Sequence, residues 1–78
     1  MPTFLTKQGF RFFVYMNEHE PIHVHIKKGG SKAKVILVPE ILIDKNYGFK
    51  LQEMKAILEI IVENYYYFID KWNETFNK

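Results

Sequence analysis

The feature that most constrains this chain is Gly29-Gly30, which separates two β-rich runs at residues 22–28 and 31–38. A Gly-Gly loop of this length makes a tight hairpin turn and fixes the register of the strands it joins. Lys28 then faces Ser31, Lys27 faces Lys32, Ile26 faces Ala33, His25 faces Lys34, Val24 faces Val35, His23 faces Ile36 and Ile22 faces Leu37. Side chains alternate across a strand, so Ile22, Val24, Ile26, Ala33, Val35 and Leu37 form one wholly apolar face. The opposite face carries His23, His25, Lys27, Lys32, Lys34 and Ile36. A hairpin does not stand alone in water, so the apolar face requires further strands and a covering layer.

The flanking sequence supplies both. Residues 11–16 read as a strand with Phe12, Val14 and Met16 on one side and Arg11, Phe13 and Tyr15 on the other; either side can be the buried one. A short strand at residues 3–7 reaches it through a turn at Gln8-Gly9, and the polar stretch 17–21, ending in Pro21, is the loop to the hairpin. Pro39 ends the fourth strand; residues 41–43 make a short extended piece and Asn46-Tyr47-Gly48 a turn. From Leu51 the apolar period becomes helical, with Leu51, Met54, Leu58, Ile61, Val62, Tyr65, Phe68, Ile69, Trp72 and Phe76 in one stripe. Glu53 occupies the third helical position of a capping box behind Lys50, a poor N-cap, and Phe49 and Met54 have the spacing of a hydrophobic staple. Ile60 and Tyr67 fall opposite the stripe, as isolated surface residues or as the edge of a partner interface. The expected fold is a single α+β domain: a mainly antiparallel sheet of about four strands in residues 1–43, covered on one face by a long C-terminal helix over about residues 50–77.

Size and charge narrow the function. A chain of 78 residues buries only roughly 60–65% of the surface exposed when unfolded, so its core needs a supplement. It has no cysteine, which removes disulfides and thiolate-bound zinc and leaves dense aromatic packing, a partner chain or a metal held by other ligands. No apolar run reaches the ~18 residues of a membrane span and the first residues lack a signal-peptide pattern, so a cytoplasmic location is expected. The net charge of +2 hides an asymmetry. Residues 1–39 hold six cations against two acids, whereas residues 40–78 hold five against seven, giving +4 and −2. The basic half suits an anionic partner, although lysines also guard sheet edges.

The three histidines lie within seven residues, in Glu18-His19-Glu20-Pro21-Ile22-His23-Val24-His25. His23 and His25 project from one strand face, about 6.5–7 Å apart at Cα. Three chemistries compete for them. As a general base and acid they suit cleavage of an RNA phosphodiester, with Arg11 stabilising charge and Tyr15 alongside, so the catalytic candidates are His19, His23, His25, Arg11 and Tyr15. Such a metal-independent endoribonuclease needs no cofactor. As metal ligands they would draw on His19 or Glu18 from the loop; this is the less favoured reading, with His19, His23 and His25 as its set. As bland amphipathic residues they would merely line a solvated sheet.

If Met16 faces Ile22, then Tyr15 lies beside His23, Phe13 beside His25 and Arg11 beside Lys27, which puts like charges opposite each other unless an anion intervenes. Arg11, Phe13, Lys27, Lys32 and Lys34 are accordingly the nucleic-acid-binding candidates, cations interleaved with an aromatic. The same face could instead serve a non-catalytic module that binds protein or nucleic acid. Lys28-Gly29-Gly30-Ser31-Lys32 does not fit a phosphate-binding P-loop, and no Ser-His-Asp or Cys-His constellation is present.

The run from Arg11-Phe12-Phe13 through Asn17-Glu18-His19-Glu20-Pro21-Ile22-His23-Val24-His25-Ile26 resembles domain-of-unknown-function family 4160, a group of small bacterial and phage proteins. The likeness extends to Met1-Pro2-Thr3, Asn46-Tyr47-Gly48-Phe49 and Trp72-Asn73. Here Ile22 replaces a proline of the family motif and Lys50 a helix-capping serine. Some members are classed as toxins of type II toxin-antitoxin systems. The resemblance therefore implies a toxin-like protein with a small cognate antitoxin as partner and places any shared site at His19, His23 and His25, while the RNA reading rests on the residues themselves and on analogy with other small toxins. A homodimer is a further expectation that the small core suggests.

Overall fold

The computed structural model describes residues 2–76. Five antiparallel strands follow one another in space as in sequence: β1 (Thr3–Lys7), β2 (Phe10–Phe13), β3 (His23–Lys28), β4 (Ser31–Ile36) and β5 (Leu42–Tyr47). Two helices follow, α1 (Leu51–Glu63) and α2 (Tyr65–Phe76). Among the described residues no helix is long and apolar enough to cross a membrane.

The hairpin register is the expected one from Lys28 opposite Ser31 to His23 opposite Ile36, and the Leu37 amide continues it to the Ile22 carbonyl at 2.8 Å. Gly29 turns the chain at φ +58°, a left-handed conformation that costs glycine nothing. The pairing of β2 with β3 also matches, with Arg11 opposite Lys27 and Phe13 opposite His25. Phe12, Val14, Val24, Ile26, Ala33, Val35 and Leu37 are buried, and with Met54, Ile57, Ile60, Ile61, Phe68 and Trp72 from the helices they form the core. Phe68 lies 5.3 Å from Phe12 and 6.5 Å from Phe4 between ring centroids. Dense aromatic packing thus supplies part of what the short chain lacks in volume.

The sheet has a fifth strand where a short extended piece and a turn were expected. Asp44, Lys45 and Asn46 are poor strand formers, and every residue of β5 is exposed, so no apolar alternation marks it. Pairing with β4 holds it, and Gly48 (φ +102°) ends it; a Cβ there would come 2.8 Å from Ser31 Oγ.

One long helix was expected, and there are two. Asn64 divides them: its side-chain amide donates to the Ile60 carbonyl at 2.8 Å, and its own carbonyl accepts from Phe68 N–H at 3.0 Å. The expected end at residue 77 lies outside the described residues. With the break, the buried face of α1 turns toward Ile57 and Ile60. Ile60, expected on the surface, is 1% exposed, whereas Leu51 and Val62, expected inside, are 73% and 61% exposed. Tyr67 donates its hydroxyl hydrogen to the Phe4 carbonyl at 2.6 Å, tying α2 to the edge strand. Lys50 precedes α1 with Glu53 accepting its backbone N–H at 2.9 Å, half of the expected capping box.

Candidate functional site

The helices cover one face of the sheet, and the chemistry lies on the other. Pairing across β2, β3, β4 and β5 aligns two rows there. Arg11, Lys27, Lys32 and Tyr47 form one; Phe13, His25, Lys34 and Lys45 form the next. Three cross-strand neighbours are therefore like charges: Arg11 with Lys27, Lys27 with Lys32, and Lys34 with Lys45. Such pairs oppose folding by a few tenths of a kcal/mol or more each. Asp44, 3.5 Å from Lys34 Nζ, offsets only part of this positive potential. Tyr15, His25, Lys32, Ala33, Lys34, Lys45 and Tyr47 line a shallow groove along the face.

Phe13 does not present a free ring to this groove. It is buried, stacked on His25 at 5.6 Å, edged by Tyr15 at 5.4 Å and capped by the Arg11 guanidinium at 4.7 Å. Arg11 also donates to Thr3 Oγ1 at 2.9 Å. The exposed aromatics of the face are Tyr15 and Tyr47 instead.

At the end of the face nearest α2, Glu18 from the loop after β2 meets His23 and His25 of β3. Their ligand-capable atoms all lie within 4.8 Å of one another. Glu18 Oε1 is 2.5 Å from His25 Nε2 and 3.2 Å from the Tyr15 backbone N–H that it accepts. Glu18 Oε2 is 3.0 Å from His23 Nε2. His23 is 3% exposed, with Trp72 5.0 Å away between ring centroids. Its Nδ1 lies 2.7 Å from the Pro21 carbonyl oxygen. A carbonyl only accepts, so Nδ1 carries a proton and Nε2 is the ring nitrogen left to face Glu18. Despite its closeness to Glu18, that buried Nε2 lies off any hydrogen-bond line and has no partner.

The two flexible charges of the cluster respond to it differently. Burial pushes the Glu18 carboxyl up, but the Tyr15 N–H and the two imidazoles outweigh it and leave Glu18 below its ordinary value. Burial pushes His25 down, and the Glu18 carboxylate only partly restores it, so His25 also ends below its ordinary value. Near neutral pH the pair is thus a carboxylate accepting Nε2–H from a neutral imidazole.

The expected site residues separate into groups. His23 and His25 meet, Tyr15 packs on His25 with ring centroids 4.7 Å apart, and Lys32 and Lys34 share the groove with His25. Lys27 stands in the neighbouring row, exposed. His19 does not join the other histidines; it is exposed and lines a separate depression with Glu18, Glu20, Trp72, Asn73 and Phe76. Three residues of the site carried little sequence signal. Lys45 and Tyr47 belong to the strand that composition conceals. Glu18 was expected only as the alternative to His19 among ligands from the loop, and it is Glu18 that meets the two strand histidines.

Residues 9–73 match the family model of a domain of unknown function, DUF4160, and the chain belongs to that family. No curated protein and no solved structure matches the chain.

Proposed function

We propose that this DUF4160 domain binds single-stranded RNA along the open face of its sheet, as the RNA-acting, toxin-like component of a two-protein bacterial module. The like-charge row of Arg11, Lys27 and Lys32, beside Lys34 and Lys45, carries the reading. Cations set opposite one another on neighbouring strands repel, and a phosphate backbone laid across them converts that repulsion into attraction. Tyr15 and Tyr47 at the groove supply faces on which bases stack without regard to sequence. A small antitoxin-like protein that covers this face would compete with RNA for the same cations.

The direct test is fluorescence anisotropy with a labelled single-stranded RNA over a range of salt. Affinity falls as salt rises, and Lys32→Thr or Lys34→Thr lowers the slope of log affinity against log salt by ~0.7 for each phosphate no longer neutralised. Binding that is insensitive to salt, or to both substitutions, overturns the proposal.

Cleavage of the bound RNA is a second reading, favoured by the Glu18 carboxylate that orients His25, the imidazole lining the groove. In that role His25 would take a proton from the ribose 2′-hydroxyl as its oxygen bonds to phosphorus, the P–O5′ bond breaks and the leaving oxygen takes a proton from water, while Lys34 steadies the phosphate. Buried His23 would not touch the substrate. Induction in cells compares wild type with His25→Ala: growth arrest with RNA loss in the first and not the second supports cleavage. RNA that stays intact in both leaves a binding module.

A further inference from the structure

We infer that Glu18, His23 and His25 form a binding site for a divalent first-row transition-metal ion of the zinc type. Two imidazole nitrogens and one carboxylate oxygen are a borderline-soft donor set that suits zinc, cobalt or nickel better than magnesium or calcium. The His23 Nε2 gives the cluster its direction. It is buried and has no hydrogen-bond partner, yet stands 3.0 Å from an anionic oxygen and off the line to it, so a cation held between the two would satisfy both.

The geometry is close to what coordination needs. With bonds of ~2.0–2.1 Å, neighbouring ligand atoms on a tetrahedral ion stand ~3.3 Å apart. The 3.0 Å from His23 Nε2 to Glu18 Oε2 is within a few tenths of that edge, and the 2.5 Å from His25 Nε2 to Glu18 Oε1 must open by under 1 Å. His25 lies on the sheet face and Glu18 on a loop, so rotation of the carboxylate supplies that opening, while the widest ligand separation, up to 4.8 Å, closes by ~1.5 Å through side-chain adjustment. The outer contacts are also those of a metal site. The Pro21 carbonyl accepts from His23 Nδ1, which fixes Nε2 as the ligand nitrogen, and the Tyr15 N–H holds Glu18 Oε1.

Three protein ligands leave at least one position for water or for an anionic group arriving along the groove. His19 does not converge with these three and stays outside the ligand set, although it lines a neighbouring depression that Glu18 shares. A metal here takes the lone pair of His25 Nε2 and so puts the ring proton on Nδ1, which makes occupancy incompatible with His25 acting as a general base through Nδ1.

The test uses the full chain without an affinity tag, freed of metal by a chelator and titrated with Co2+ and with Zn2+ by calorimetry. Trp72, the sole tryptophan, packs on His23 and reports the site, since Co2+ at the cluster quenches its fluorescence. One saturable site per chain is expected, with matching quenching. Glu18→Gln and His25→Ala each weaken binding at least ~10–100-fold, the loss that even outer contacts of a metal site cause. His23→Ala is expected to do the same, and because it empties a buried position its folding is checked by circular dichroism; the two less buried variants carry the test if it unfolds. His19→Ala binds as wild type. Absence of saturable binding, binding unchanged in both Glu18→Gln and His25→Ala, or loss of binding in His19→Ala overturns the inference.

Discussion

Replacing Lys27 by threonine should make the protein more stable and worse at binding RNA. Lys27 stands between Arg11 on β2 and Lys32 on β4, so it has a like charge on each side. Each directly opposed pair disfavours the sheet by ~0.2–1 kcal/mol. The Arg11 side is discounted, because its guanidinium leans away onto Phe13 at 4.7 Å and Thr3 at 2.9 Å. The Lys32 side is discounted in part, because both ammonium groups are exposed and screened. A net gain of ~0.5–1 kcal/mol remains, helped by the higher strand preference of threonine. For a domain of this size that is a rise in Tm of ~2–8 °C. Calorimetric melts at low and high salt check the cause: the gain should shrink as the Debye length falls from ~10 Å at 0.1 M to ~3 Å at 1 M. RNA anisotropy on the same variant should show weaker binding with a salt slope smaller by ~0.7. A variant no more stable than wild type at low salt, or one that binds RNA with an unchanged slope, refutes the claim that this row is held in tension for an anion.

Three further substitutions separate stability from binding. Tyr47→Ala removes an exposed stacking surface, so RNA affinity should fall by ~1–3 kcal/mol while the urea midpoint is unchanged. Phe13→Ala should do the reverse: its ring is enclosed by Arg11, Tyr15 and His25, and a loss of ~3–5 kcal/mol, seen as a lower urea midpoint, would consume much of the ~4–12 kcal/mol typical of this length. Tyr65→Phe frees the Leu37 carbonyl that its hydroxyl reaches at 2.7 Å, and a destabilisation of ~0.5–1.5 kcal/mol is expected from denaturant titration with no change in RNA binding.

The hairpin was legible to the residue because three constraints coincide there: a glycine turn of fixed length, strict alternation and one wholly apolar face. None of these acts on β5, which is exposed on both sides and owes its existence to the backbone partner β4 offers. That is a tertiary cause, invisible in local composition. The helix illustrates a different limit. Its apolar residues are plentiful enough to define more than one stripe, and the choice between Leu58 and Ile57 as the inward residue depends on the break at Asn64. The site follows the same division. His23 and His25 share a face by strand geometry alone, whereas the contribution of Glu18 depends on how the loop from Tyr15 to Pro21 returns over the sheet. His19, nearer in sequence to His23, is carried to another surface by that same return.

His25 belongs both to the cationic groove and to the Glu18 cluster, so the two ligands proposed for this face should not bind independently. A divalent ion at the cluster adds positive charge at the end of the lysine rows, within about one Debye length of a phosphate lying on them, ~8 Å at physiological salt. Two added charges at that distance in water are worth ~1 kcal/mol before screening, which leaves a coupling of ~2-fold after it. Linkage requires reciprocity: if Zn2+ tightens RNA binding by that factor, RNA tightens Zn2+ binding by the same factor. Anisotropy with and without Zn2+, and calorimetry of Zn2+ with and without RNA, measure the two sides separately. Glu18→Gln should abolish both, because it removes the ion without touching a groove cation. A tightening by Zn2+ that survives in Glu18→Gln would place the ion on the RNA and not in the protein. Equal affinities with and without Zn2+ in the wild type would mean that the groove and the cluster bind their ligands independently.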